Sequence, residues 1–214
     1  SVTSIGYYAF ANCNTLTDLT IPRSVTNIGP SAFYNSYKIE NLYITDLAAY
    51  LNCKYSDVYS NPFRFAKNLY INSEKATEIV VPDSVTTIPD YAFCSCDSLT
   101  SVTISNSVTQ IGENAFANCK NLLSVTIPDS VTSIRYYAFA NCSSIINIKI
   151  PSSMTNITYD LFHGCSGLKD ITIPKSITEI SDSAFDGCDS LTNIYYNGTK
   201  EQWNKINIGT YGNN

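Results

Sequence analysis

Residues 121–142 read NLLSVTIPDSVTSIRYYAFANC, and close copies of this stretch recur along the chain. The phenylalanine of its Ala-Phe step marks the recurrence. Equivalent phenylalanines follow one another at steps of 23, 60, 23, 23, 23 and 23 residues, at Phe10, Phe33, Phe93, Phe116, Phe139, Phe162 and Phe185. The step of 60 is one period of 23 plus 37 further residues. A fixed period of this length predicts a solenoid of stacked repeats with one insertion.

The apolar spacing inside this stretch predicts the parts of one coil. Val125 and Ile127 lie two residues apart, which places both on the core-facing side of a strand. Pro128 has no N–H to donate to a sheet and ends that strand. A second short strand is expected at residues 131–134, and residues 136–141 have the spacing of one helical or 3-10 turn. One coil cannot cover both faces of its own apolar layer, so the coils must stack.

The composition is typical of a single elongated domain, predicted to span residues 1–214. The chain is 44% hydrophobic, enough to bury a core, and each repeat is expected to contact only its neighbours. Its net charge is −5 and its basic residues are scattered, which excludes the basic patch that nucleic acids require. No apolar run approaches the roughly 18 residues of a membrane helix, so no membrane span is predicted.

The start of the sequence and its polar residues bear on cellular location. The sequence begins at Ser1 within a repeat, so we expect a fragment of a longer protein whose targeting signal is not included. Charged residues make up only 14% of the chain, and Ser, Thr and Asn supply much of its polarity. These proportions favour an extracellular or cell-surface location.

Six of the eight cysteines occupy one repeat position, three residues after the marker phenylalanine. They are Cys13, Cys96, Cys119, Cys142, Cys165 and Cys188, and Ser36 takes this place in the second copy. A disulfide framework is one interpretation. Equivalent side chains of stacked coils run parallel and do not converge, which favours a row of buried free thiols. Cys94, one residue after Phe93, is expected to be exposed, and neither it nor Cys53 has an evident role.

The insertion is predicted at about residues 45–78. Residues 46–51 begin with Asp46 and continue with good helix formers, which predicts a short helix. Residues 68–71 alternate like a strand, and we expect them to form a hairpin with residues 77–81. Two interpretations remain open: the insertion binds a partner, as loops on rigid scaffolds often do, or it only packs on the solenoid.

The repeat pattern ends after Tyr196, and a C-terminal cap is predicted at about residues 194–214. Thr199 is a suitable N-cap for a helix over residues 200–206. Trp203, the only tryptophan, lies on that helix. Because the open end of a solenoid needs a polar cover, we interpret Trp203 as part of a structural cap in preference to a sugar-stacking residue.

The pattern L-x-x-V-T-I-P-x-S-V-T-x-I-x-x-x-A-F-x-x-C, carried in full by residues 122–142, resembles the BspA-like class of leucine-rich repeats. This class occurs in surface proteins of anaerobic gut and oral bacteria and in some parasitic protists. The segments TDLAAYLN, KNLYIN and YYNGTKEQWNKI are also similar to segments of the family. The resemblance implies a mainly-β repeat solenoid, a right-handed superhelix with a parallel sheet on its concave side, short helical or 3-10 turns and a C-terminal capping helix. It also implies display at the cell surface and binding of other proteins or host components.

The sequence contains no constellation that predicts an enzyme, a cofactor or a metal. His163 is the only histidine, and without converging partners a lone histidine cannot anchor a catalytic triad. No glycine-rich phosphate loop is present. We therefore predict no catalytic, metal-binding or cofactor-binding residues.

Candidate partner-binding residues come from the solvent-facing positions of the predicted strands. Most of these positions hold small polar residues, whereas Tyr43, Lys149 and Tyr195 stand out because interface hot spots favour large side chains, tyrosine among them. A second group of tyrosines lies near the predicted helical turns, where it forms either rim packing or an aromatic surface on the opposite side: Tyr7, Tyr8, Tyr34, Tyr37, Tyr91, Tyr136, Tyr137 and Tyr159.

Three functional hypotheses follow. The leading one is a non-enzymatic interaction or adhesion module of a secreted or cell-surface protein, which binds a protein or a host-cell component through the concave sheet or the insertion. The second is a structural spacer that presents a neighbouring domain. The third is a carbohydrate-binding module, which requires a row of aromatic residues in one groove, and the concave row is poor in them.

Overall fold

The computed structural model describes residues 1–213, and they form a mainly-β solenoid of about eight turns. Each regular repeat contributes a first strand, a corner and a shorter second strand. The first strands are β2 (Asp18–Ile21), β4 (Asn41–Ile44), β6 (Asn68–Ile71), β8 (Glu78–Val80), β10 (Ser101–Thr103), β12 (Ser124–Thr126), β14 (Asn147–Lys149), β16 (Asp170–Ile173) and β18 (Asn193–Tyr196). The second strands are β1 (Ser4–Ile5), β3 (Asn27–Ile28), β5 (Lys54–Tyr55), β9 (Thr87–Ile88), β11 (Gln110–Ile111), β13 (Ser133–Ile134), β15 (Asn156–Ile157), β17 (Glu179–Ile180) and β19 (Asn207–Ile208).

The strands pair in parallel, and in the regular repeats each residue lies beside its equivalent one repeat away. Val102 pairs with Val125, for example, and Ile111 with Ile134. This register stacks side chains of one kind into rows along the core. The fully buried ring of Phe116 stacks on that of Phe139 with centroids 5.3 Å apart and an interplanar angle of 2°. The predicted stacking of the repeats is confirmed.

The segment around each marker phenylalanine differs from the prediction of a helical turn. In the regular repeats it forms hydrogen-bonded turns, not a helix. The residues two before and two after the phenylalanine have positive φ, as in Tyr137 at 58° and Asn141 at 58° on either side of Phe139. A residue with left-handed backbone conformation cannot continue a right-handed helix, so the helical geometry is interrupted at both positions within five residues.

The insertion is largely a variant coil of the solenoid, not a protrusion. The predicted short helix is present as α1 (Leu47–Leu51), which follows β4, and Asp46 is its N-cap, accepting from the backbone N–H of Ala49 at 2.9 Å. Strand β5 then pairs in parallel with β3, in the place of a regular second strand. A 3-10 turn (Pro62–Arg64) brings Phe63 into the core, where it is fully buried and lies 6.0 Å from the ring of Phe93. Phe63 is therefore an eighth marker phenylalanine, hidden from the sequence by irregular spacing.

The predicted hairpin has a different second strand. Strand β6 pairs antiparallel with β7 (Glu74–Lys75), not with residues 77–81. Asn72 and Ser73 make the reversal, with φ of 52° and 69°. Strand β8 instead pairs in parallel with β10 and begins the regular series again.

Both strand series are interrupted at the same two places. The first strands divide into β2-β4-β6-β7, β8-β10-β12 and β14-β16-β18, and the second strands into β1-β3-β5, β9-β11-β13 and β15-β17-β19. The first break follows the insertion, where β7 occupies the edge of β6. At the second break, between β12 and β14, the turns stay hydrogen-bonded: Phe139 N–H donates to Leu161 O at 3.1 Å. Val125 and Ile127, predicted to be core residues, are only partly buried beside this break.

All eight cysteines are free thiols, and for the six members of the row this confirms the prediction. Five members of the row are buried, and Cys13, in the first coil, is partly buried. The expectation that Cys94 is exposed is wrong, because its side chain packs with Ala117 and Ala140 and is only 7% exposed.

The C-terminal capping helix is present but shorter than predicted. Helix α2 (Lys200–Trp203) begins after Thr199, which forms a reciprocal capping box with Gln202, as the N-cap prediction requires. The Trp203 ring packs edge-on against Tyr196 at 5.2 Å, and β19 covers β17. The first-strand side is left open, since Ile194 is 49% exposed. Asn214, the last residue of the predicted cap, lies outside the described residues.

No helix within residues 1–213 has the length and apolar character to cross a membrane.

Candidate interaction surfaces

The three predicted binding residues do not form one site. Tyr43 lies on β4, near the first end of the strand series, whereas Lys149 on β14 and Tyr195 on β18 lie near the other. Lys149 and Tyr195 both flank Thr172, one on each side, so they share a sheet. The side chain of Tyr195 is 55% exposed. The strand face thus presents two separate groups of large side chains.

Tyr43 is joined by a residue from the insertion that the sequence analysis did not select. Its ring stacks on the ring of Tyr70, with centroids 4.6 Å apart and an interplanar angle of 19°. The two residues are direct partners in the parallel pairing of β4 with β6. A signal was available, because residues 41–44 and 68–71 both read NLYI.

A polar row lies beside this tyrosine pair. Asn68 Nδ2 donates to Asn41 Oδ1, and Asn41 Nδ2 donates to Asp18 Oδ1, each at 2.9 Å. The Tyr43 hydroxyl also donates to Asp18 Oδ1, at 3.2 Å. Donation by the Thr17 hydroxyl and then by Asn41 holds the pKa of Asp18 below its ordinary value, so the carboxylate stays charged near neutral pH. The tyrosine patch, meaning Tyr43, Tyr70 and Asp18, combines aromatic rings with a fixed negative charge.

The turn side carries a second aromatic surface. Of the two interpretations given for the second group of tyrosines, rim packing or an aromatic surface, the structure favours the surface. Tyr8 lies edge-on to Tyr34 at 6.0 Å, and Tyr34 lies edge-on to Tyr59 at 5.2 Å. The guanidinium carbon of Arg64 lies 4.6 Å from the Tyr59 ring centroid and 5.7 Å from that of Tyr91. The row therefore continues from the first coil across the insertion into the regular repeats.

A groove of about 440 Å³ lies beside Arg64, which we call the turn-side groove. Besides Arg64, the groove is lined by aromatic rings, two amides, a hydroxyl and a thiol: Tyr37, Tyr59, Phe65, Tyr91, Cys94, Ser95, Asn114 and Asn118. It exists because the irregular coil sets Arg64 and Phe65 beside the regular turns that follow.

A second opening, a cleft of about 360 Å³, marks the break between β5 and β9. Arg135 spans its edge, with Nη1 at 3.3 Å from both carboxylate oxygens of Asp90. Asp57 caps backbone groups on the other side, accepting from the Ser31 N–H at 2.9 Å. Because its charged groups are already paired, this cleft offers little free recognition chemistry.

Three buried thiols of the cysteine row are unreactive near neutral pH. Burial raises the pKa of the Cys96, Cys142 and Cys188 thiols to about 12, so they carry almost no thiolate at neutral pH. The Nδ1 of His163 lies 3.5 Å from a carboxylate oxygen of Asp160 and 3.4 Å from one of Asp186.

Comparisons with solved structures agree with this fold. A leucine-rich repeat protein from Eubacterium ventriosum is 21% identical, with a TM-score of 0.61 over 90% of this chain and 70% of that one. A Treponema pallidum leucine-rich repeat protein is 24% identical, with a TM-score of 0.51 over 89% and 72%. The pneumococcal vaccine antigen PcpA is 17% identical, with a TM-score of 0.57 over 94% and 61%. No match was found among curated protein sequences.

The repeat pattern itself assigns the family. A family model described as "BspA type Leucine rich repeat region" matches residues 1–61 and 64–205, in six copies. The match covers most of the sequence and includes both sides of the insertion. Together with the stacked phenylalanine row and the parallel strands, it confirms the resemblance drawn from the repeats. The chain belongs to the BspA-type leucine-rich repeat family.

Proposed function

We propose that this chain is a non-enzymatic interaction module of a secreted or cell-surface protein, and that it binds a protein partner through the tyrosine patch. The stacking of Tyr43 on Tyr70 is the observation that supports this most strongly. The pair joins a residue of the strand face to a residue of the insertion, the two surfaces that were predicted separately as binding sites. Tyrosine is enriched among interface hot spots because a rigid ring buries a large area and its hydroxyl accepts or donates a hydrogen bond.

The surroundings of the pair favour a protein partner. Both rings are held by a rigid parallel sheet, so little side-chain freedom is lost on binding. Asp18 lies within hydrogen-bond distance of Tyr43 and adds a negative charge, and Lys75 lies opposite Tyr70 in the hairpin. Aromatic, acidic and basic groups within one patch suit a mixed protein surface. A cell-surface location agrees with the low charged fraction of the chain and with the vaccine-antigen description of PcpA.

Binding to a panel of purified extracellular-matrix and host-cell surface proteins tests the proposal. We expect at least one specific partner, with Tyr43→Ala/Tyr70→Ala weakening its binding by about thirtyfold or more, since a hot-spot truncation removes about 2 kcal/mol or more. Tyr211→Ala is the matched control, because Tyr211 is a 70% exposed tyrosine in the C-terminal cap, outside the patch, and it should leave affinity unchanged. Equal affinity of the double variant and the wild type for a confirmed partner would place the binding site elsewhere.

A further inference from the structure

Arg64 is placed as a recognition residue, not as part of a salt bridge. It ends the 3-10 turn of the insertion and lies between the rings of Tyr59 and Tyr91, at 4.6 Å and 5.7 Å from their centroids. The ion pairs within residues 1–213 involve Arg135 and His163, and none involves Arg64. Two aromatic rings therefore fix the guanidinium at the groove while leaving its hydrogen-bond donors without a carboxylate.

Backbone N–H groups of the regular turns beside the turn-side groove are already paired. Tyr91 N–H donates to Glu113 O at 2.9 Å, Ser95 N–H to Ala117 O at 2.7 Å and Asn118 N–H to Ala140 O at 2.7 Å. A peptide that binds as an added strand needs unpaired backbone donors and acceptors. The groove does not provide them on these turns, so a ligand must be recognised by side chains.

The groove side chains supply three kinds of contact. Tyr37, 66% exposed, and Phe65 pack edge-on at 5.5 Å and form an aromatic wall. Asn114 and Asn118 each make one described side-chain hydrogen bond, at 3.3 Å and 3.2 Å, and amides can form several more. Arg64 adds one positive charge. Ring faces suit the apolar C–H face of a pyranose, amides suit its hydroxyls, and a guanidinium suits a carboxylate.

We propose that the turn-side groove binds a carboxylate-bearing sugar residue, with Arg64 paired to the carboxylate and the aromatic wall stacked on the sugar ring. The groove volume of about 440 Å³ lies within the range of small-ligand sites. The net charge of −5 repels a polyanion such as an acidic peptide, whereas one carboxylate on an otherwise neutral sugar meets one unpaired arginine. The site lies on the turn side, apart from the tyrosine patch, so it can be tested independently of the proposed function.

Paired sugars that differ in one group test the proposal on the unaltered protein. Methyl glucuronide is compared with methyl glucoside, and sialyllactose with lactose, by ligand-observed NMR or calorimetry. We expect one carboxylate sugar to bind about tenfold or more tighter than its neutral partner, because a charge-assisted bidentate pair is lost in the neutral sugar. The pair that shows the preference identifies the source, a uronic acid or a sialic acid. No binding, or no preference in either pair, would overturn the proposal.

Single-residue variants test the Arg64–carboxylate contact and the stacking of the aromatic wall on the sugar ring separately. Arg64→Gln should abolish the carboxylate preference, and Arg64→Lys should restore part of it, since the charge returns without the planar fork. Tyr37→Ala should weaken acidic and neutral sugars alike. Arg23→Gln, which removes one exposed arginine outside the groove, should bind as the wild type does. An unchanged preference in Arg64→Gln would overturn the proposal, as would Arg64-dependent binding of a tetraglutamate peptide without binding of either acidic sugar.

Discussion

The Sγ of Cys142 donates a hydrogen bond to the carbonyl oxygen of Phe116, 26 residues earlier, across 3.1 Å. The same contact joins other coils, at Cys119 to Phe93, Cys165 to Phe139 and Cys188 to Phe162. In the second repeat, Ser36 Oγ donates to Phe10 O in the same way. Four of the six thiols in the row therefore act as buried donors that join one coil to the previous one, and Ser36 performs the same role in the second repeat.

The first prediction concerns this donor. Cys142→Ala removes one of two donors to the Phe116 carbonyl, which also accepts from the Cys119 N–H at 3.2 Å. We therefore expect a loss of about 0.5–1.5 kcal/mol in the free energy of unfolding. Cys142→Ser keeps a donor in place, as Ser36 does, and should lose less. Urea denaturation of both variants measures the difference. A serine variant less stable than the alanine variant would show that the hydrogen bond does not explain the row.

The second prediction is a loss of stability at alkaline pH. Burial raises the pKa of Cys96 and Cys142 to about 12 in the folded chain, against about 8.5 for an unfolded thiol. Their contribution is fully present below about pH 8.5 and is lost as the pH rises toward 12, because only the unfolded chain ionises in that window. Each such thiol should lower the free energy of unfolding by about 1.4 kcal/mol per pH unit.

Urea denaturation between pH 9.5 and 11 measures that slope. Cys142→Ser removes one ionising group and should reduce the slope by about 1.4 kcal/mol per unit. Val131→Ala is the control, because it removes core volume without a titrating group and should shift the curve while leaving its slope intact. An identical slope in wild type and Cys142→Ser would contradict the expected linkage.

The third prediction tests the variant coil. Phe63 is fully buried, so Phe63→Ala should cost about 3–5 kcal/mol, as for any core phenylalanine. Phe65, two residues later and only partly buried, is the matched control and should cost clearly less. Chemical denaturation compares them. Equal, small effects would mean that the insertion does not contribute a core layer to the solenoid.

The fourth prediction concerns the left-handed position two residues after the marker phenylalanine. Asn118 has φ of 61°, and Gly164 and Gly187 occupy the equivalent place in later repeats. Asn118→Gly and Asn118→Ala both remove the hydrogen bond from Asn141, but only alanine suffers the left-handed conformation. We expect the alanine variant to be less stable than the glycine variant by about 1 kcal/mol. Thermal denaturation of the two variants measures the difference, and a higher Tm for Asn118→Ala than for Asn118→Gly would contradict this expectation.

Regular spacing made most of the fold predictable. The period placed the strands, the phenylalanine row and the cysteine row, since equivalent residues of stacked coils must coincide. Helix α1 followed from its acidic start and helix-forming residues, and the Thr199 N-cap followed from local capping chemistry. The turns were misjudged, because apolar spacing does not reveal that residues such as Tyr137 and Asn141 adopt positive φ.

The irregular coil was harder to predict for a physical reason. Phe63 lies 30 residues from both Phe33 and Phe93, so a search at 23 residues passes over it. Tyr70 and Arg64 reach their surfaces only because that coil folds into the stack. Selecting Tyr43, Lys149 and Tyr195 from strand position alone therefore identified one member of the tyrosine patch and missed its partner.

The central claim is that the insertion stacks in register and places Tyr70 on Tyr43. A double-mutant cycle of Tyr43→Ala and Tyr70→Ala, measured by urea denaturation, tests it without any partner. For rings in contact, with centroids 4.6 Å apart, the account predicts a coupling energy of about 0.5–1.5 kcal/mol between the two positions. Strictly additive effects of the two substitutions would contradict it.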